Sequence, residues 1–430
     1  MGVLLNLTQE YFGKKTRTED MVIHMDGVET IEHEFIDKCG KKQYASYIIK
    51  DGGSYILPSE PLRELVKIII KRDGNKCDLN IIDVSNVVCM KSLFEDSDFD
   101  GDISEWDVRN VENMEAMFKK SHFNGDISKW ETVKLQNICE IFCESSFTGD
   151  ISGWDVSKVT VMSGAFQKCP FDGDISKWKT GSVRFTSYMF EESSFTGDIS
   201  EWDVSNVERM SGMFKKSPFN GDISRWKVGK VETMSNMFEE SSFTGDISEW
   251  DVSNVNDMSD MFRESSFNGD ISKWKVGKVK SMANMFRKSH FTGDISDWNV
   301  SSVEKMLFMF SDSPFNGDIS RWNVENVKDM AFMFANSDFK GDISQWKTYS
   351  LTDAGGMFDG SSFNGDISGW YVKKLKNVKV MFLFDKEFDQ DLSGWEFENL
   401  EELEIDDLVF SGTPLEKNPP QWYLKRKAIS

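Results

Sequence analysis

Gly-Asp-Ile-Ser recurs at every twenty-fourth residue from Gly101 to Gly365, twelve times in unbroken register. A fixed period of this length means that each copy is one small unit that cannot bury its apolar side alone and must stack on its neighbours. Numbered 1 to 24 from Phe99, the unit reads Phe-x-Gly-Asp-Ile-Ser-x-Trp-x-Val-x-x-Val-x-x-Met-x-x-Met-Phe-x-x-Ser-x. The length of 430 residues would suggest two or three domains in an ordinary chain. In an array it suggests one elongated body, because units add along a line.

The apolar spacing changes within the unit. Trp106 and Val108 alternate with Glu105 and Asp107, as in a strand with one face buried. Val111, Met114, Met117 and Phe118 are mostly three apart, which predicts helical turns. Each unit is therefore expected to be a short strand with a helical return. The sum is an α/β solenoid of about 14 rungs, right-handed, with one parallel β-sheet face and one helical-turn face. The tryptophans from Trp106 to Trp370 and Trp395 form one inward column, with only Trp422 outside it. Gly101 and its equivalents are expected to take a positive φ or to permit a close backbone approach, and Ser121 and its equivalents to be small buried residues.

Unit positions 7 and 9 flank the tryptophan and face outward. Their charges alternate between neighbours: Glu105 and Asp107, then Lys129 and Glu131; later Lys177 and Lys179, Glu201 and Asp203, Arg225 and Lys227. Opposite charges on adjacent units attract and like charges repel, so alternation controls register first and forms a binding code second. Lys119-Lys120, Glu191-Glu192, Lys215-Lys216 and Glu239-Glu240 echo it at positions 21 and 22. After Lys275 the alternation decays. Arg321, Asn323, Gln345, Lys347 and Tyr371 then supply a mixed polar surface with an exposed aromatic, the composition in which interface energy concentrates. These five are the candidate partner-binding residues.

A formal net charge of −22 argues against nucleic acid or an anionic membrane as partner. Residues 1 to 9 do not read as a signal peptide, and no apolar run is long enough to span a bilayer. The expected location is the cytoplasm. The cysteines at 39, 77, 89, 139, 143 and 169 keep no repeat spacing and are expected to be reduced thiols. An aspartate stands at position 4 of every unit, from Asp102 to Asp366. Calcium binding by this file is the alternative to a local role in which each accepts backbone N–H groups at its own bend, assisted by the serine two residues on. Cys139, Cys143 and Cys169 form too incomplete a set for zinc. His24, His33, His122 and His290 are scattered, and no catalytic signature is present. No cofactor and no enzymatic activity are expected.

The run Ile199 to Phe214, containing Asp203-Val204-Ser205-Asn206-Val207, resembles the BspA-like leucine-rich repeat family of bacterial proteins. Pro58-Ser59-Glu60-Pro61-Leu62-Arg63-Glu64-Leu65, followed by Asp78-Leu79-Asn80 with Ile82 in the tryptophan slot, is similar to that family's amino-terminal cap. The resemblance implies a curved leucine-rich-repeat-like body that recognises other macromolecules, and, by analogy, adhesion at the cell surface. The expected organisation is a β-rich leader over 1–56 with a turn at Asp51-Gly52-Gly53, a capping helix over 57–76, the array over 77–395, and an acidic capping helix with a basic tail over 396–430. The function expected is protein–protein recognition or scaffolding; an exported adhesin and a structural component of a larger assembly are the alternatives.

Overall fold

The computed structural model describes residues 23–25, 28–36, 42–49, 55–56 and 59–429. The turn expected at Asp51-Gly52-Gly53 and the stretch Met1 to Gln9 lie outside them. Strands β1 (Ile23–Met25), β2 (Val28–Ile36) and β3 (Lys42–Ile49) form an antiparallel sheet in that order. Strand β4 (Tyr55–Ile56) pairs in parallel with β5 (Ile82–Asp83). Helix α1 (Ser59–Asp73) lies between them in sequence. Leu62, Val66 and Ile69 recur on one helical face and are buried. The helix ends at Gly74, whose φ of +89° lets its N–H donate to Ile70 O at 2.8 Å.

From Cys77 to Glu404 the chain is a stack of units built from turns. The units are tied by single-residue parallel bridges at position 15, running without interruption from Cys89 and Asn113 to Asn377 and Glu404. The expected α/β solenoid with a sheet on one face and helical turns on the other is not found. Among the described residues every strand ends by Asp83, and between α1 and α2 (Gln421–Ile429) the only helical elements are 3-10 turns at Leu400–Glu402 and Pro414–Glu416.

The two halves of the unit have exchanged the roles that the spacing suggested. Around the tryptophans from Trp130 to Trp370 no backbone bond among the described residues joins neighbouring units; the indole does so instead. Trp130 Nε1 donates to Ile103 O of the preceding unit at 3.1 Å, and the same bond recurs to Trp395. The inter-unit backbone ladder lies in the segment expected to be helical. There Met114, Ala116, Phe118 and Lys120 donate to Asn137, Cys139, Ile141 and Cys143 O, all at 2.8 to 2.9 Å.

A spacing of three fits consecutive β-turns as well as a helix, and turns are what form. Met117 N–H donates to Met114 O and Ser121 N–H to Phe118 O. The third residue of each turn, Ala116 and Lys120, has φ of 54° and 55°, the signature of a type II turn. Left-handed residues thus recur at positions 18 and 22 of unit after unit, as a helix would never allow.

The core is continuous. Phe99, Ile103, Trp106, Val108, Val111, Met114, Met117 and Phe118, with their equivalents in later units, are buried. Trp130 lies between Trp106 and Trp154, with centroids 6.4 and 6.1 Å away. Phe118 stacks on Phe142 at 5.6 Å. Ser121 is buried, its Oγ accepting the N–H of Phe123 at 3.1 Å. The position-3 glycine is required by close approach: at Gly125, whose φ is not positive, an added Cβ would lie 2.8 Å from the Phe123 ring and 3.0 Å from Gly101 O. Gly125→Ala should therefore cost about 1–3 kcal/mol through displacement of that ring. An unchanged urea midpoint would refute this.

The far end also departs from expectation. Residues 396–407 hold only a 3-10 turn, and the basic stretch folds as α2. Trp422, expected outside the column, closes it. Its indole stacks on Trp395 at 6.0 Å, and its Nε1 donates to Leu392 O at 3.1 Å, repeating the bond made by every earlier tryptophan.

Candidate recognition surface

With indoles and phenylalanines inward, what remains outside is a set of files of polar side chains along the stack. At position 4, Asp102 Oδ1 accepts the Ser104 N–H at 2.9 Å, and the bond recurs through Asp366 and Ser368. This N–H holds the carboxyls of Asp126 and Asp150 below the usual range. One oxygen of each carboxylate is thus engaged at its own bend. Among the described residues no group of three or more His, Cys, Asp and Glu side chains is placed to hold a metal ion.

Positions 7 and 9 carry the alternating charges on a part of the unit without ladder bonds, and pairing there is sparse: Lys129 to Glu105 at 3.5 Å and Lys273 to Glu249 at 2.8 Å. Both pairs are well exposed and contribute little. The alternation is realised more fully at positions 21 and 22, where the backbone ladder holds neighbours close. Lys215 lies 3.9 Å from Glu191 and 3.1 Å from Glu239, and Glu239 also meets Arg263. The Glu239 side chain is only 1% exposed, so leaving it without these cations would strand a buried charge.

A further file went unnoticed in the sequence. At position 12, Asn206 and Asn254 Nδ2 donate to Gly181 and Gly229 O at 2.7 Å, while Lys230 and Lys278 reach their Oδ1 atoms at 2.6 Å. Lys230, Asn254 and Lys278 line a shallow polar groove of about 770 Å³ with Glu232 and Lys280. The signal was present as the run Asn206, Lys230, Asn254, Lys278, which alternates over four consecutive units.

The five candidate residues lie on one side of the indole column. Arg321, Asn323, Gln345 and Lys347 are exposed and Tyr371 is partly so. Lys347 Nζ is 3.6 Å from Glu325, and Asn323 Oδ1 accepts the Glu325 N–H at 3.1 Å. Gln345 Nε2 donates to Ser344 Oγ at 3.2 Å. Tyr371 packs edge-to-face on Tyr349 at 5.4 Å, and Tyr349, which the sequence reading passed over, is 46% exposed. The structure thus brings these residues onto neighbouring units and adds a second ring.

The remaining reactive groups are quiet. His122 Nδ1 lies 2.8 Å from Asp98 Oδ1 on an exposed edge, and His290 is exposed. His24 and His33 fall on β1 and β2. Cys77, Cys139, Cys143 and Cys169 are free, and burial pushes the thiols of Cys139 and Cys143 up to about 11. Cys89 is disulfide-bonded, which departs from the expectation of reduced thiols throughout. Among the described residues no helix is long and apolar enough to cross a membrane.

This architecture defines a tandem-repeat protein whose units coil by turns. The chain belongs to the family described as "Mycoplasma protein of unknown function, DUF285", whose profile matches residues 65–170, 160–266, 239–338 and 313–422. That description places the family in a bacterial genus. It replaces the resemblance to BspA-like leucine-rich repeats, and with no strand or helix in the repeating unit the terms leucine-rich repeat and α/β solenoid do not describe the molecule. No curated protein and no solved structure matches the chain.

Proposed function

We propose that this protein is a non-enzymatic recognition or scaffolding module that grips a protein partner on the face beside the indole column, between Arg321 and Tyr371. The observation that carries the reading is the Tyr349–Tyr371 pair. Two aromatic rings held edge-to-face at 5.4 Å, one of them 46% exposed, stand beside Gln345 and Lys347, outside the buried indole and phenylalanine columns. Tyrosine and arginine are enriched among the few side chains that carry most of the energy in protein interfaces. The reading places the chain in a reducing cytosol. That suits the four free thiols, and the bond at Cys89 would open there.

The test is capture of proteins from native lysate on the immobilised full chain. Replacing Arg321→Gln, Lys347→Gln and Tyr371→Ala together is expected to weaken capture of the specific partner at least about tenfold, since hot-spot side chains each contribute more than about 1 kcal/mol. Unchanged capture by a variant with an unaltered melting curve would remove this face from consideration.

A further inference from the structure

Position 18 of the unit lies in the left-handed region, where glycine and asparagine are the economical residues. The stack uses them freely: Gly164, Gly212, Asn236, Asn284 and Gly356 all stand there. Yet Phe308 and Phe332 occupy the same position with φ of 54° each, and Val380 does so at 49°. At position 22, which is also left-handed, Phe384 has φ of 58° and is 59% exposed. Bulky residues in this region are true outliers; Tyr188 is one earlier case at position 18, with φ of 59° and 38% exposed, and four more gather in the last third of the array. The fold does not need them, because glycine or asparagine fills the same slots elsewhere. Strained backbone retained at a surface points to use of that surface.

The rings are organised. Phe308 and Phe332 stack in parallel at 4.8 Å with both partly exposed, and the Arg287 guanidinium lies 4.7 Å over Phe308. Leu307 and Ala331, one residue earlier in each unit, are also partly exposed and extend the apolar strip. Carboxylates border it on both sides, Asp329 and Asp353 at position 15 and Asp312 and Asp359 at positions 22 and 21, while Lys305 stands beside Asp329 and Arg287 and Lys288 one unit before Asp312. Asp329 and Asp353 each commit Oδ1 to a backbone N–H, of Ala331 at 3.0 Å and Gly355 at 2.9 Å.

We propose that this turn face, from Leu307 to Phe384, is a docking surface for an extended protein segment carrying arginine or lysine beside apolar side chains. Apolar groups of the segment cover the ring edges and Leu307, and its cations reach the bordering carboxylates. Arg287 on Phe308 is the internal precedent for a guanidinium settling on this strip. The surface is separate from the one around Tyr371, so either can fail without the other.

The full chain is titrated into a fluorescein-labelled peptide of alternating leucine and arginine, with a leucine–glutamate and an arginine–glycine peptide as controls. Saturable binding of the leucine–arginine peptide alone is expected. The double variant Phe308→Asn, Phe332→Asn, which installs the residue that units at Asn236 and Asn284 already use, is expected to weaken it at least about tenfold. Its cooperative melt should be retained, since asparagine tolerates the backbone. The variant Arg321→Gln, Lys347→Gln, Tyr371→Ala is expected to bind the peptide normally. The absence of saturable binding overturns the proposal, as does equal binding of the arginine–glycine peptide, which would show attraction to net charge only. Undiminished binding by the folded Phe308→Asn, Phe332→Asn chain overturns it too.

Discussion

Trp130→Ala should destabilise the stack by about 3–5 kcal/mol, the cost of truncating a fully packed aromatic. The residue is 2% exposed and is covered by Trp106, Trp154 and Phe118. It also ties its unit to the preceding one through the buried 3.1 Å bond from Nε1 to Ile103 O. Truncation leaves that carbonyl without its indole donor and opens a void that the rings on either side cannot close, because both are fixed by bonds of the same kind. The loss should appear in urea denaturation as a lower midpoint. Trp130→Phe should recover part of the packing but not the hydrogen bond, and so fall between the two. A Trp130→Ala chain with wild-type stability would mean that the indoles fill space without holding the units together.

The second large effect concerns pH. Asp385 stands at position 23, where the other units place a small residue such as Ser337 or Ser361, and it is completely buried. Ser361 Oγ donates to Asp385 Oδ2 at 2.8 Å, and Asp385 Oδ1 accepts the Glu387 N–H at 3.2 Å. Burial outweighs these bonds and pushes the carboxyl up to about 6. An acid whose pKa is raised on folding binds its proton more tightly in the folded state, so stability falls as pH rises from about 4 to about 6 and is flat above that. Removing the ionisation with Asp385→Asn should therefore stabilise the protein at pH 7 by about 2–3 kcal/mol, the value of a shift of roughly two units. At pH 4 the two proteins should melt together. Equal melting temperatures at pH 7 would show that the ionised carboxylate is well accommodated by its hydrogen bonds.

The sequence made the period, the buried set and the inward tryptophans legible, because burial in a stack is imposed unit by unit and leaves the same residue at the same place each time. The Asx bond of Asp102 and the close approach at Gly125 were readable for the same reason: each involves neighbours within two residues. The path of the backbone was not. Met-x-x-Met-Phe at a spacing of three is shared by a helix and by tandem type II turns, and most residues at the left-handed sites, among them Lys120, Glu192 and Phe308, are not glycine and so do not announce them. Trp422 was hidden because it enters the column from a helix outside the repeat.

Of the candidate site, the charged and polar members near Arg321 were visible from the break in charge alternation. Tyr349 sits at a position that is otherwise variable, and its meeting with Tyr371 depends on how adjacent units overlie. Asp385 falls in the slot that Ser337 and Ser361 occupy in earlier units, and its burial there depends on the packing of the last unit.

The charge pattern at positions 21 and 22 bears on how such a protein can change in length. Glu191, Lys215, Glu239 and Arg263 alternate from unit to unit, so a duplication or loss of a single copy would set like charges against each other around a buried carboxylate. Gain or loss of two copies preserves every pairing. In that middle segment, inheritance of whole pairs is the change that the molecule tolerates, and variation in copy number among relatives should proceed there in steps of 48 residues, twice the 24-residue unit.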